Sequence, residues 1–420
     1  MIPSLCGSIS TLGAELRKVK SYRVVGACEK LTEGLPSGRM RPPRRPMSRR
    51  RAITKLGAAA VAGGVLGVGG WGTALYYALQ PRPRPQIVTS AKRTDVTGTL
   101  QVFEWAGYEA EEFWSYPFKQ TYPNVRVDFA FFEDENEALT KIIAGFKTHI
   151  VHPCSYNIPR YVAAGILQPI DTSRIQQWDN IWPELRNLRD IYADGDLYMV
   201  PADWGYSGIS YRTDVVEEEP RTWDALWDER YTGKVSMSDS AIESVPVAGV
   251  LTRASNLWDM TDAELQSAKQ LLIRQKPLIL SYWTFSTDLA QLLNTGEVGI
   301  AYSWNDAPAI AAAEGAPVKF ALPEKAFSWA CGLAITKDVR GTELDLAYEY
   351  INSWLSPWAG TNLINLFTYG HSNRLSVKSA DQSIVEAMKM NPPNFADTIF
   401  WQYQPRVEKY EEVWAEVKGA

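Results

Sequence analysis

Histidine and cysteine are scarce in this chain, with 3 His and 4 Cys in 420 residues. Metal centres and nucleophilic triads draw on those residues, so the shortage narrows the field at once. His149 and His152 lie three apart in an extended stretch, which points them to opposite faces and denies them a shared ion. Cys6, Cys28, Cys154 and Cys331 show no C-x-x-C spacing; in an oxidising compartment Cys154 and Cys331 are free to pair. There is no Gly-rich phosphate loop and no H-E-x-x-H, and Gly205-Tyr206-Ser207-Gly208 lacks the spacing of a nucleophile elbow. The expectation is a protein that performs no catalysis and needs no metal and no cofactor.

Basic charge is missing from the body. Residues 1–97 carry 17 Lys+Arg against 4 Asp+Glu, a balance of +13, whereas residues 98–420 carry 26 against 44, a balance of −18. An acidic body argues against nucleic acid as a partner and suits a small cation. Aromatics are plentiful, with 16 Trp, 20 Tyr and 13 Phe. Those near the surface often mark binding sites. The length suits about two or three domains.

Ser48-Arg49-Arg50-Arg51-Ala52-Ile53-Thr54-Lys55 precedes an uncharged run over 56–80. Paired Arg before a weakly hydrophobic Gly/Ala-rich run reads as a twin-arginine export signal over 47–80. No Cys follows it and no clear A-x-A site ends it. A bilayer takes about 20 residues, so an uncleaved anchor through 56–80 is the alternative. Residues 1–46 show no strong periodicity and read as a disordered leader or an extension upstream of a start at Met47 or Met40. Residues 81–97 begin Pro81-Arg82-Pro83-Arg84-Pro85 and read as a stiff linker. Location outside the cytoplasm is implied.

From residue 98 short apolar runs alternate with helical patterns, the mark of an α/β protein with mainly parallel sheets. Strands are expected over 100–103, 125–132, 149–152, 197–201, 207–211, 234–237, 278–281, 298–302 and 327–336. Helices are expected over 134–146, 222–231, 244–255, 262–275, 287–294 and 344–355. Around 109–120 Pro117 argues for a break or a late start. Ligands of open α/β sheets bind beyond the carboxyl ends of strands. Aromatic and acidic residues recur there: Trp105 and Tyr108 after the first strand, Tyr156 after the third, Asp239 and Glu243 after 234–237, and Trp304 and Asp306 after 298–302.

The pieces Glu104-Trp105-Ala106-Gly107-Tyr108, Pro153-Cys154-Ser155-Tyr156, Trp223-Asp224-Ala225-Leu226-Trp227 and Trp304-Asn305-Asp306, with the Val200 to Gly205 stretch, keep their order and spacing over most of 98–420. In these the chain resembles the periplasmic spermidine/putrescine-binding proteins of ABC importers. The resemblance implies a two-lobed periplasmic-binding-protein fold of type II-like design. Each lobe would be a mainly parallel sheet flanked by helices, with the cleft between. Lobe one would take 98–205 and 306–338, and lobe two 206–305 and 339–420. It further implies that Trp105, Tyr108 and Tyr156 sandwich the methylenes of a polyamine, that Glu243 grips an ammonium, and that Trp304 and Asp306 sit at the central amine. Trp329, Trp283 and Asn362 fall near further cleft positions. Where family members often carry a second carboxylate, this chain has Ser240 with Asp239 one place earlier, and Asp203 is an extra acid that could compensate.

The chemistry closes. Two charge-assisted hydrogen bonds contribute about 1.5–3 kcal/mol each, buried methylenes about 0.8 each, and cation–π contacts about 0.5–2. Less the cost of association, the sum supports micromolar binding at about −8 kcal/mol. The expected role is a monomeric polyamine receptor serving ABC importer permease subunits. The alternatives are a same-fold receptor for an amino acid derivative, an opine or ferric iron, or a membrane-tethered sensor. On this fold iron usually takes adjacent tyrosines, and the one Tyr-Tyr pair, Tyr76-Tyr77, lies in the leader.

Overall fold

The computed structural model describes residues 91–132 and 135–420. The expected leader 1–46, the signal or anchor 47–80 and most of the linker 81–97 lie outside the described residues. The strands are β1 Gly98–Trp105, β2 Val125–Phe132, β3 Ile150–Val151, β4 Tyr192–Ala193, β5 Asp196–Leu197, β6 Val200–Arg212, β7 Val235–Ser238, β8 Ile279–Trp283, β9 Ile300–Trp304, β10 Val318–Ala321, β11 Phe327–Ile335, β12 Gly370–His371 and β13 Ile399–Phe400. The longer helices are α1 Glu111–Thr121, α2 Glu135–Ile143, α3 Ala241–Thr252, α4 Asp262–Gln275, α5 Ser286–Thr295, α6 Asp306–Ala313, α7 Gly341–Trp354, α8 Pro357–Phe367 and α9 Val407–Gly419. Among the described residues no helix is long and apolar enough to cross a membrane.

Apart from the β4–β5 hairpin, the strands form one mixed sheet ordered β2-β1-β3-β11-β6-β9-β7-β8, with β10 and β12 also on β6 and β13 on β11. Its two ends are parallel. β1 pairs with β2 and β3, and β7 pairs with β8 and β9. Parallel pairs need helical crossovers, which cover both faces. Between the ends run β6 and β11, antiparallel to each other, with a register shift between Cys331 and Gly332. Beyond β11 lies β3, and beyond β6 lies β9. β11 is buried along its whole length and β6 from Val200 to Tyr211.

The sequence reading breaks this region into strands 197–201 and 207–211, but β6 runs unbroken through Asp203-Trp204-Gly205. Gly205 makes no turn. A Cβ there would stand 2.3 Å from Cζ2 of Trp329 and 2.6 Å from Oδ1 of Asn305, so its bareness makes room for neighbours. The expected helix over 222–231 resolves into two 3₁₀ turns, Trp223–Trp227 and Glu229–Tyr231. Pro117 stays within α1, where Tyr116 leaves helical geometry at φ −118° and ψ 120°.

Helix packing crosses the boundaries of the expected partition. α7 and α8 lie on α1, where Tyr350 stacks on Trp114 at 5.9 Å and Trp358 meets Tyr116 at 5.4 Å. α6 packs on α5 and β10. Residues 341–367 therefore side with β1–β3, and 306–321 with β7–β9. The buried face of α7 carries Tyr350, Ile351 and Trp354, and α1 meets it with Phe113, Trp114 and Phe118. α9 closes a smaller core with α3 and α4 through Val245, Met260, Leu272, Tyr410 and Trp414. Thr261 and Glu264 cap α4 reciprocally. Cys154 and Cys331 are disulfide-bonded, joining the loop after β3 to β11.

Candidate functional site

The parallel register of β1 and β3 pairs Phe103 with Val151, so the residues just past each strand end emerge side by side. Glu104 and Trp105 end β1, and His152 follows β3. The Trp105 indole donates to the His152 carbonyl at 2.8 Å, and its ring packs on Phe132 at 4.6 Å. His152 Nδ1 stands 2.7 Å from Glu104 Oε1, and Nε2 stands 2.9 Å from Asp203 Oδ1. The other oxygen, Asp203 Oδ2, accepts the Tyr108 hydroxyl at 2.7 Å. All four side chains are buried, Glu104 and His152 completely. Burial alone would push His152 down; the two carboxylates hold it up at about 10. Burial also raises Glu104, with His152 opposing. This is a carboxylate–imidazolium–carboxylate row, closed by a phenol.

Glu243 and Asp306 have a different setting. Glu243 sits in the first turn of α3, just past β7, and accepts the Trp304 indole N–H at 2.9 Å. Its Oε2 is buried and has no hydrogen-bond partner. Burial lifts Glu243 to about 7, against the pull of the Ser238 and Trp304 donors. Asp306 opens α6 and accepts the Ser286 hydroxyl at 3.0 Å. Burial raises it too, opposed by hydrogen bonds from Tyr369 and Ser286. Among the described residues neither carboxylate has a basic side chain as an ion-pair partner. The surrounding walls are aromatic. Trp304 meets Trp283 edge-on at 5.3 Å, Trp329 meets Tyr369 edge-on at 4.8 Å, and Phe367 links Tyr369 to Tyr108 at 6.2 and 5.4 Å. The Trp329 indole N–H is buried without a partner.

Carboxylates drawn partly out of water without a counter-charge are costly. A family model described as bacterial extracellular solute-binding protein matches residues 116–392. The chain belongs to that family. Among relatives of known function, the spermidine/putrescine-binding periplasmic protein of Escherichia coli K12 is 25% identical over 341 residues, covering 79% of this chain and 94% of its own. Among solved structures, the substrate-binding protein of a spermidine/putrescine ABC transporter from Streptococcus pneumoniae superposes with a TM-score of 0.65. It has 21% identity and covers 77% of this chain and 99% of its own. A protein of Agrobacterium tumefaciens B6 in complex with glucopine has a TM-score of 0.64 at 17% identity, covering 76% and 99%. The fold is the two-lobed periplasmic-binding-protein fold.

In this solute-binding protein Trp105, Tyr156, Glu243, Trp304 and Asp306 are half-buried, as residues facing a cleft would be. Tyr156 lies in the turn Ser155–Asn157, its ring 6.3 Å from Trp401. It lines a narrow space of about 20 Å³ with Arg160, Ile242, Trp401 and Gln404, room for about one water. Trp283 is buried and donates to the Tyr302 carbonyl at 2.9 Å. Asn362 is buried on α8 and donates to the Glu112 carbonyl at 3.1 Å. Asp239 is exposed and turned to α9, where Trp414 and Lys418 hold it at 3.0 and 2.7 Å. Asp203 is buried behind Tyr108 rather than open to the cleft. A cavity of about 490 Å³ lined by Glu184, Arg189, Asp190, Phe395 and Trp401 is the roomier space, but it contains neither Glu243 nor Asp306.

Sequence reasoning missed Tyr369, Ser286, Glu104 and His152. Glu104 was in view inside the Trp105 motif, and its burial beside His152 follows only from strand register. Tyr369 precedes Gly370, whose lack of a Cβ lets β12 lie against Trp204: a Cβ would stand 2.0 Å from Cε2 of that ring. An aromatic–glycine pair just after a helix was the available signal.

Proposed function

We propose that the protein captures a polyamine of the putrescine/spermidine type outside the cytoplasm and delivers it to the permease of an ABC importer. The observation that carries this reading is the pair of half-buried carboxylates, Glu243 and Asp306, without a basic partner among the described residues and set beside Trp304, Trp283, Trp329 and Tyr369. Each accepts one ammonium, and the ring faces cover the methylenes between. The named relatives that bind spermidine and putrescine support the same ligand class. One lobe carries the Trp105–Tyr108 wall and takes about 98–203 and 331–367; the other carries Glu243 and Asp306. The molecule works as a monomer, exported by the twin-arginine route, with 56–80 as a tether where the signal is retained. No step of this role calls for catalysis.

Calorimetric titration with putrescine, spermidine, spermine, agmatine and γ-aminobutyrate tests the reading. Heat from at least one polyamine is expected, and Trp105→Ala and Asp306→Asn should each weaken it. Silence from every cation would overturn it. A zwitterion is the second reading, favoured by Arg160 at the narrow space beside Tyr156; it predicts heat from γ-aminobutyrate alone.

A further inference from the structure

Glu104, His152 and Asp203 are withdrawn from solvent, with His152 at 0% exposure and Asp203 at 1%. Buried ion pairs seldom add net stability over apolar residues of the same size, so the position of what they hold matters more. They hold the turn after β1. Tyr108 closes that turn by donating its amide to the Trp105 carbonyl at 3.2 Å. At one end the Trp105 indole donates to the His152 carbonyl at 2.8 Å, and the Trp105 amide to Glu104 Oε1 at 2.9 Å. At the other end the Tyr108 hydroxyl donates to Asp203 Oδ2 at 2.7 Å. Between them the exposed Glu109 accepts the Gly107 amide at 2.7 Å. Trp105 is the half-buried member of the turn and Tyr108 the buried one.

The grip has a direction. Asp203 turns Oδ1 to His152 Nε2 at 2.9 Å and Oδ2 to the phenol, so each oxygen faces a donor. An amide in its place would offer its NH₂ to one of those donors. Glu104 Oε1 stands 2.7 Å from Nδ1, while Oε2 is buried with no partner, so Asp203 is the more fully engaged acid. A neutral imidazole would turn a lone pair toward one of the two carboxylates; only the cation suits both.

We infer that His152 and Asp203 are positioning residues of the binding site: they grip both ends of the Trp105–Tyr108 turn and so set the angle at which the Trp105 ring meets the ligand. The inference rests on the polyamine reading for the place of Trp105, and adds to it two residues that touch no ligand atom. A ring contributes to a cation or a methylene chain only at the right distance and tilt. A turn pinned at both ends needs no ordering when the ligand arrives.

The test is calorimetry on the purified protein at about pH 8, where the ammonium groups are charged, with putrescine and spermidine. Tyr108→Phe removes one hydroxyl and keeps the ring; it should weaken the tighter-bound amine about 3–10-fold, the worth of one hydrogen bond. Asp203→Asn should cause a loss of the same size. Trp105→Phe keeps a ring but removes the indole N–H that His152 holds, and in that background Tyr108→Phe should change affinity by less than about twofold, because both act through one ring. Equal losses in the two backgrounds overturn the inference and leave the polyamine reading intact. So does a Tyr108→Phe variant that lowers the urea midpoint and leaves affinity unchanged, since the row would then be architecture alone. The chain has 3 histidines, so NMR of isotope-labelled histidine follows His152 in the unaltered protein. Its ring signals should shift on saturation with the amine, although no ligand atom reaches the ring. Unmoved His152 signals overturn the inference even where a variant fails to fold. Wild-type protein that takes up neither amine overturns the polyamine reading and the role of the row with it.

Discussion

Glu104 and Asp203 share one imidazolium, whereas Glu243 and Asp306 share none. Both pairs lie on or just beyond strands of the same sheet, the first buried and the second half-buried. The first pair faces one imidazole that follows β3, although Glu104 Oε2 is itself buried without a hydrogen-bond partner. The second is incomplete, held by neutral donors that leave its charge unanswered. Acidity is common to both. What separates them is the missing counter-charge.

The contrast can be broken at its strongest point by His152→Leu. Removing the shared cation strands two buried carboxylates, and a loss of about 3–5 kcal/mol in urea unfolding is expected; a loss below about 1 kcal/mol would show that the row is not ionic. With His152 held up at about 10, its stabilisation is full below the unfolded value of about 6.5 and is lost as pH rises through about 10. Next in size, Glu243→Gln should weaken putrescine binding about 10–100-fold while raising the stability of the ligand-free protein, since an unanswered charge has gone. A variant that loses both affinity and stability would place Glu243 with the architectural acids.

A third measurement sharpens the comparison through pH. Glu243 is lifted to about 7, above its unfolded value of about 4.3. Between these values the folded state holds the extra proton, so the Glu243 contribution to stability falls as pH rises from about 4.3 to 7 and is level beyond. Amine binding favours the carboxylate, so affinity should climb through about pH 7, with proton release visible as buffer-dependent heat. Glu243→Gln should abolish that release. The smallest effect belongs to Asp239→Asn: binding should stay within about twofold, and the exposed pair with Lys418 should cost about 0–1 kcal/mol.

The strand–helix alternation was legible because both apolar periods are local, and so was the recurrence of aromatics and acids at strand ends, Trp105, Tyr156, Trp304 and Asp306 among them. What failed was long-range. The place of α7 and α8 depends on an apolar match with α1, more than two hundred residues earlier. Gly205 reads as a break in sequence, and only the Trp329 ring across the ladder explains it. Asp203 and Asp239 look like ligand acids until His152, Tyr108 and Lys418 are seen to occupy them. Chemistry between distant residues leaves no mark on local pattern.

The register shift between Cys331 and Gly332 interrupts the ladder of the two crossing strands close to Asp203, and the disulfide fastens β11 there to the loop after β3. An interrupted ladder is the compliant place in an otherwise continuous sheet. Cys331 is the register partner of Asp203, so the covalent tie holds the segment that carries His152 against the strand beside Asp203 and keeps the imidazole and the carboxylate together where the ladder is interrupted.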